Sequence, residues 1–154
     1  MKKLLFVLCM MCISTASFAQ KGTATVGAQF NYIIDSPHNL GAGVNVGYEF
    51  LDNVRAVAGF DYYFKKDNVS YWGLNFNAEY LFRLGGNKVA LYPIVGLNVL
   101  GCKVEGFGDD SKVGFNLGAG VEVPVSSFAI KAEYIYKTQW DGSSFLNVGV
   151  VFPF

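Results

Sequence analysis

Strict alternation of apolar and polar residues is the feature that most constrains this chain. From Leu40 to Phe50 the sequence reads LGAGVNVGYEF, in which every second residue is apolar and every intervening residue is glycine or polar. Successive side chains of a β-strand point to opposite faces, so this pattern predicts a strand with one apolar and one polar surface. The pattern occurs eight times, near residues 23–34, 40–50, 54–64, 71–83, 88–99, 113–123, 128–137 and 144–154. The chain is therefore predicted to be all-β.

Composition narrows the possible partners. Lysine and arginine together number 12, as do aspartate and glutamate, so the formal net charge is zero and nothing favours nucleic-acid binding. After the first twenty residues, no apolar run approaches the roughly 18 residues that a membrane-spanning helix needs. The apolar residues, 52% of the chain, are instead divided among the strands. Their faces must contact either a protein core or lipid.

The N-terminus has the features of a signal peptide. Two lysines near the start are followed by an apolar segment (residues 4–13) and by a small-x-small cleavage site that ends at Ala19. We expect residues 1–19 to be removed and residues 20–154 to form one domain. Cys102 is then the remaining cysteine, and it has no partner for an internal disulfide.

Charged residues on the polar face decide which face points outward. This face carries five acids and five bases, namely Glu49, Arg55, Asp61, Glu79, Arg83, Lys88, Glu122, Lys131, Glu133 and Lys137. A soluble barrel would have to bury these charges or expose an apolar patch far larger than soluble monomers tolerate. In a membrane the apolar face contacts lipid, where an outward Lys or Arg would cost about 2–4 kcal/mol at mid-depth. The apolar face is therefore predicted to be outside.

A sheet in lipid must also close, because unpaired backbone groups find no water there. The sequence thus predicts an eight-stranded antiparallel up-and-down transmembrane β-barrel, with a lumen just wide enough for side chains to fill. The ten charges are expected to pair into a network that plugs the lumen. An ion-conducting path along the same charges is the alternative.

The connections between the strands alternate in length. Those after even strands are tight, whereas those after odd strands cover residues 35–39, 65–70, 100–112 and 138–143. Short periplasmic turns and longer outer loops are typical of such barrels. Pro93 lies in the middle of a strand and cannot donate a ladder hydrogen bond, so we expect a bulge or a break in the pairing there.

The end of the chain carries a more specific motif. The last eight residues, NVGVVFPF, resemble the β-signal of outer-membrane proteins at Asn147, Gly149, Phe152 and Phe154. The chain is therefore similar to the small outer-membrane β-barrel family, which includes outer membrane protein X and the barrel domain of outer membrane protein A. The resemblance implies a Gram-negative outer membrane, and recognition of the last strand by the barrel-assembly machinery during insertion.

The expected role is structural or interactive, through outer loops that contact an extracellular partner, in a monomer surrounded by outer-membrane lipid and without a cofactor. A narrow ion channel is the second hypothesis. The third is an enzyme that modifies lipid A, because His38 lies beside Asp35 and Ser36 in the first outer loop. A soluble lipid-carrying barrel is a further alternative. Carboxylates in residues 105–110 are of the kind that bind calcium, but their spacing matches no calcium loop.

Removal of Phe154 is predicted to impair assembly, because the resemblance makes this residue part of the insertion signal. We expect the truncated chain to lose most of its folded outer-membrane form, measured as the heat-dependent gel shift of the membrane fraction. Phe50→Ala changes an aromatic residue outside the last strand and serves as the control. Equal amounts of folded protein in the truncated and full-length chains would contradict the assignment.

Overall fold

Nine antiparallel strands account for most of the described chain. The computed structural model describes residues 22–35, 38–66, 68–86, 88–106, 108–139 and 142–153. The strands within them are β1 (Ala24–Ile33), β2 (Asn39–Leu51), β3 (Val54–Lys66), β4 (Val69–Tyr80), β5 (Phe82–Leu84), β6 (Val89–Val104), β7 (Gly108–Val125), β8 (Phe128–Lys137) and β9 (Ser143–Pro153). In this described part, no helix is long and apolar enough to cross a membrane. The predicted signal peptide, residues 1–19, lies outside the described residues.

The sheet closes on itself. Strands that follow one another in the chain pair with each other, except that β4 and β5 both pair with β6, and β1 also pairs with β9. The first and last strands are joined from Thr25 opposite Pro153 to Ile33 opposite Phe145. Because β4 and β5 both pair with β6, they form one interrupted segment, so the nine strands make eight segments. The predicted closed, eight-stranded antiparallel barrel is confirmed.

Side-chain exposure follows the predicted alternation. Phe30 is 72% exposed and Leu117 is 63% exposed, whereas their chain neighbours Asn31 and Asn116 are each 1% exposed. The apolar face is therefore outside and the amides and charges point into the lumen. This arrangement is the one that lipid requires, since an apolar side chain meets hydrocarbon there without cost.

Pro93 explains why the fourth segment is interrupted. Glu79 pairs with Ile94 on one side of the gap, and Phe82 pairs with Leu91 on the other, so the register is the same across it. Pro93 lies opposite the end of β4, where it has no N–H to donate. The other side of β6 pairs with β7 without a break. The predicted local break is thus confirmed. The backbone pairing opposite Pro93 is missing, and there is no bulge.

The outer ends of four strands are longer than predicted. β3 and β4 extend to Lys66 and from Val69, and β6 and β7 extend to Val104 and from Gly108. The prediction of loops over 65–70 and 100–112 is therefore wrong in extent. The polar residues in these segments continue the strand ladders, because a strand that leaves the membrane no longer needs an apolar face. We call the outer part of this β6–β7 pair, residues 101–104 and 108–113, the protruding hairpin.

Replacement of Pro93 by valine is predicted to restore the missing rung. The new N–H at position 93 should bond the backbone of β4 and exchange with deuterium as slowly as neighbouring ladder amides, measured by NMR in lipid nanodiscs. Leu97→Val is the control, since it shortens another outward side chain of β6 without adding a donor. Fast exchange at position 93 would contradict this explanation of the gap.

Candidate functional site

A shared arginine organises the lumen toward the end of the barrel that holds the chain termini, here called the terminal end. Arg55 Nη2 lies 2.7 Å from Glu79 Oε2 and 3.0 Å from Glu122 Oε2. The guanidinium also lies over the ring of Tyr92, 5.4 Å from its centroid. Arg55 and Glu79 are buried, so two carboxylates share a single cation with little access to bulk water.

A second pair lies beside this group. Lys131 Nζ donates to Glu133 Oε1 at 3.0 Å, and the hydroxyl of Tyr92 donates to the same oxygen at 3.0 Å. The other carboxylate oxygen of Glu133 accepts from Asn147 Nδ2 at 3.4 Å. Both oxygens of this buried carboxylate therefore have donors, as a buried charge requires.

Asp61 is the centre of a third group, toward the opposite end, here called the loop end. Its Oδ1 accepts from Asn31 Nδ2 at 2.7 Å and its Oδ2 accepts from Asn75 Nδ2 at 2.7 Å. Gln29 Nε2 donates to Oδ1 at 3.1 Å. Lys137 Nζ lies 3.8 Å from Oδ2 and donates to Asn75 Oδ1 at 3.0 Å. One carboxylate on β3 thus contacts three amides and a lysine from three other strands.

Apolar side chains also occupy the lumen, which the sequence analysis did not foresee. A cluster at the loop end consists of Ile33, Tyr63, Leu100 and Phe145. A second cluster consists of Leu81, Ala90, Tyr92, Ile94 and Ile135. The sequence signal was present, since these large residues stand at positions of the polar face. Lys137 contacts both the polar group around Asp61 and the apolar cluster at the loop end, where its Nζ lies 4.5 Å from the centroid of the Phe145 ring.

A small cavity remains between these groups. The volume available to the centres of water molecules is about 20 Å³. That space suits one or two water molecules and is far too small for an organic ligand. Its lining includes Asp61, Glu133 and Asn147.

The three remaining charges predicted for the polar face lie at the terminal end. Arg83 Nη2 contacts Glu49 Oε2 at 2.8 Å, where both side chains are partly open to solvent. Lys88 is exposed and belongs to the turn between β5 and β6, so its assignment to the lumen is wrong. Alternation assigns a side chain to one face only within a strand, and Lys88 lies in a turn beyond the end of the strand.

The chemical groups of the outer loops are engaged separately. Asp35 Oδ2 accepts from the backbone N–H of Ser144 at 2.6 Å, and the ring of His38 stacks on Tyr32 with centroids 6.0 Å apart. Ser36 lies outside the described residues. The described Asp35 and His38 therefore make contacts that do not assemble a catalytic relay.

Two of the carboxylates near the hairpin tip are also engaged. Glu105 pairs with Lys65, and this ion pair and hydrogen bond hold the pKa of the Glu105 carboxyl below its usual range. Asp110 Oδ1 accepts from the backbone N–H of Ser111 at 2.9 Å. Among the described residues, no three His, Cys, Asp or Glu side chains form a metal-binding group.

The β-signal residues occupy different faces of β9. Asn147 is buried in the lumen, and Gly149 lies opposite Gln29 of β1. Phe152 points outward and packs on Phe128, with ring centroids 5.9 Å apart. Phe154 lies outside the described residues. Whether these residues direct assembly stays a prediction.

The protruding hairpin leaves one strand edge without a strand partner in the described chain. β7 pairs with β8 only from Asn116 onward, whereas it pairs with β6 as far as Gly108. Just before Asn116, Thr138 N donates to Phe115 O at 3.2 Å, and Phe115 N donates to Thr138 Oγ1 at 3.0 Å. Backbone groups alternate in direction along a strand, so those of Val113, two residues before Phe115, also point away from β6.

A closed antiparallel barrel with an apolar exterior and a filled polar lumen is the architecture of a small membrane-spanning β-barrel. Comparisons with known proteins identify its family. The model for the outer membrane protein beta-barrel domain matches residues 5–154. The chain belongs to this family. Its place is accordingly the outer membrane of a Gram-negative bacterium.

Solved structures share the fold. The N-terminal β-barrel domain of Pseudomonas aeruginosa OprF has a TM-score of 0.73 at 21% identity, covering 87% of this chain and 100% of that one. Neisserial surface protein A has a TM-score of 0.67 at 18% identity, with 86% and 97% covered. Ail of Yersinia pestis has a TM-score of 0.63 at 20% identity, covering 86% of this chain and 97% of that one. No curated protein sequence matches the chain.

Removal of the shared arginine is predicted to destabilise the barrel severely. Arg55→Met leaves two carboxylates without their cation, and breaking a buried ion pair in this way costs about 3–5 kcal/mol. The double variant Arg55→Met/Glu79→Leu should recover part of the loss, because it removes one of the two stranded charges. Urea unfolding in lipid vesicles, followed by tryptophan fluorescence, measures both. A double variant less stable than Arg55→Met would contradict this account.

Proposed function

We propose that this protein is a surface-interaction barrel whose protruding hairpin binds an extended segment of an extracellular protein. The chain termini then lie on the periplasmic side, after removal of residues 1–19, and a single copy of the barrel holds the hairpin outside the membrane. Outer-membrane lipid and the assembly machinery are its other partners.

The free edge of β7 is the observation that carries this proposal. An edge strand presents backbone donors and acceptors that an extended peptide can bond, with side chains giving specificity. Residues 108–113 are exposed on both faces, and residues 109–112 are all charged or polar, which suits contact with water and not with lipid. The described residues place no strand along this edge before Asn116.

The filled lumen supports this role over conduction. Arg55, Glu79 and Tyr92 occupy one level, and Tyr63 with Phe145 occupy another, each nearly inaccessible to water. An ion crossing the barrel would have to displace both layers. Desolvation by the apolar layer and competition with the existing ion pairs would both oppose that movement.

Catalysis is also less favoured by the contacts at the loop end. The outer membrane enzyme PagL has the same fold, so the scaffold does not by itself argue against an enzyme. In this chain, however, Asp35 bonds the backbone of Ser144 and His38 stacks on Tyr32. Ail of Yersinia pestis has been solved in complex with the heparin analogue sucrose octasulfate, so a barrel of this fold can bind a ligand.

Blocking the free edge is predicted to weaken partner binding. Barrels in nanodiscs are selected against a display library of extended peptides, and the enriched peptides are then measured against two variants. Val113→Pro removes an N–H that points away from β6, and we expect affinity to fall about tenfold, because the peptide carbonyl that bonded this N–H is left without a donor. Val113→Thr keeps the N–H and should bind like the parent. Equal binding by both variants, or no enriched peptide, would contradict edge recognition.

A further inference from the structure

The free edge of β7 is partly occupied by one of its own side chains. Backbone groups alternate in direction along a strand, so those of Ser111 point away from β6 as those of Val113 do. Ser111 N already donates to Asp110 Oδ1 at 2.9 Å. An added strand cannot bond this N–H while the carboxylate holds it. Asp110 is therefore an internal competitor for the extended segment that the edge is proposed to bind.

The competing carboxylate can be displaced at moderate cost. Asp110 and Ser111 are both exposed, so a released carboxylate returns to water without any loss of hydration. What is lost is one hydrogen bond, which corresponds to about a fivefold change in an equilibrium constant. A segment that bonds Ser111 N therefore gains less affinity than it would at an unoccupied donor, unless it offers the carboxylate something in return.

The surroundings of the two neighbouring acids differ. Asp109 lies directly opposite Lys103 in the β6–β7 register, whereas Asp110 lies opposite the uncharged Cys102. Opposite charges that face each other across two strands attract, because their Cβ atoms are only about 4.5–5.5 Å apart. Lys112 is on the same face of β7 as Asp110, but about 7 Å along the strand. The directly opposite position on an added strand is thus where a base would compensate Asp110 best.

We propose that Asp110 selects an extended segment that carries lysine or arginine at the position opposite it. This inference rests on the proposed edge recognition and names the chemistry of the partner. A cation there attracts the carboxylate away from Ser111 N, and the N–H then bonds a backbone carbonyl of the segment. An acid at the same position meets a like charge, and an uncharged residue has to displace the carboxylate without compensation. The edge therefore favours basic segments.

Peptide substitution measures this selectivity. The tightest edge-binding peptide enriched against the parent barrel in nanodiscs is resynthesised with lysine, glutamine or glutamate at each position in turn. At one position we expect lysine to bind about threefold more tightly than glutamine, and glutamate about threefold more weakly, as for charges directly opposite in a sheet. The differences should shrink at high salt, because exposed charges are screened. Equal affinities of the three peptides at every position would overturn the proposal.

Variants of the barrel assign the effect to one carboxylate. Asp110→Ala frees the N–H of Ser111, so it should bind the glutamine peptide about fivefold more tightly than the parent does, and it should no longer prefer lysine. Asp109→Ala is the matched control, because it removes the adjacent exposed carboxylate and leaves the contact with Ser111 in place. It should keep the preference for lysine. Loss of the preference in Asp109→Ala, or its retention in Asp110→Ala, would overturn the assignment.

Two further comparisons separate this inference from the proposed function. Without any peptide, the N–H of Ser111 should exchange with deuterium faster in Asp110→Ala than in Asp109→Ala, measured by NMR in nanodiscs; equal rates would show that the carboxylate does not occupy this donor. If Val113→Pro binds the peptide as the parent does, edge recognition fails and this inference fails with it. If Val113→Pro weakens binding while Asp110→Ala and Asp109→Ala behave alike, this inference alone fails.

Discussion

Lipid hydrocarbon offers no hydrogen-bonding group to a protein backbone, and the rest of this structure depends on that constraint. A sheet that spans the membrane has to close, and here the closing joint is the pairing of β1 with β9. Once the sheet is closed, the lumen is the one place where polar side chains can avoid lipid. The gap opposite Pro93 departs from full pairing within the described chain, at the cost of a single rung.

The polar lumen and the apolar exterior then specify one register together. A shift of any strand by a single residue would exchange its two faces and turn charges such as Lys131 or Glu133 toward lipid. It would also separate the shared contacts of Arg55 with Glu79 and Glu122. Buried ion pairs contribute little net stability, because desolvation offsets their attraction. Here they help to specify the register, because a wrong pairing of the β-strands would leave a buried charge without its partner.

Much of the fold could be read from the sequence, because alternation and lipid impose the same simple rule at every strand. The identity of the ion pairs could not be read from the sequence, because it depends on how far each side chain extends across the lumen. Glu122 stands directly opposite Lys131 in the register, yet it pairs with Arg55 from another strand. The rule also fails at strand ends. Lys88 lies in a turn, and the β6–β7 ladder continues into water where apolar residues are no longer needed.

The packed lumen has a consequence for the protruding hairpin. Asn98 of β6 and Asn116 of β7 are fully buried and bonded to each other just below it, so the hairpin begins from a rigid base. An exposed edge normally invites aggregation unless something limits it. Here the Asp110 carboxylate occupies the N–H of Ser111, which shortens the edge available to a partner. A short edge on a rigid base suits recognition of one extended segment better than unrestricted strand addition, and that difference separates a binding surface from an aggregation site.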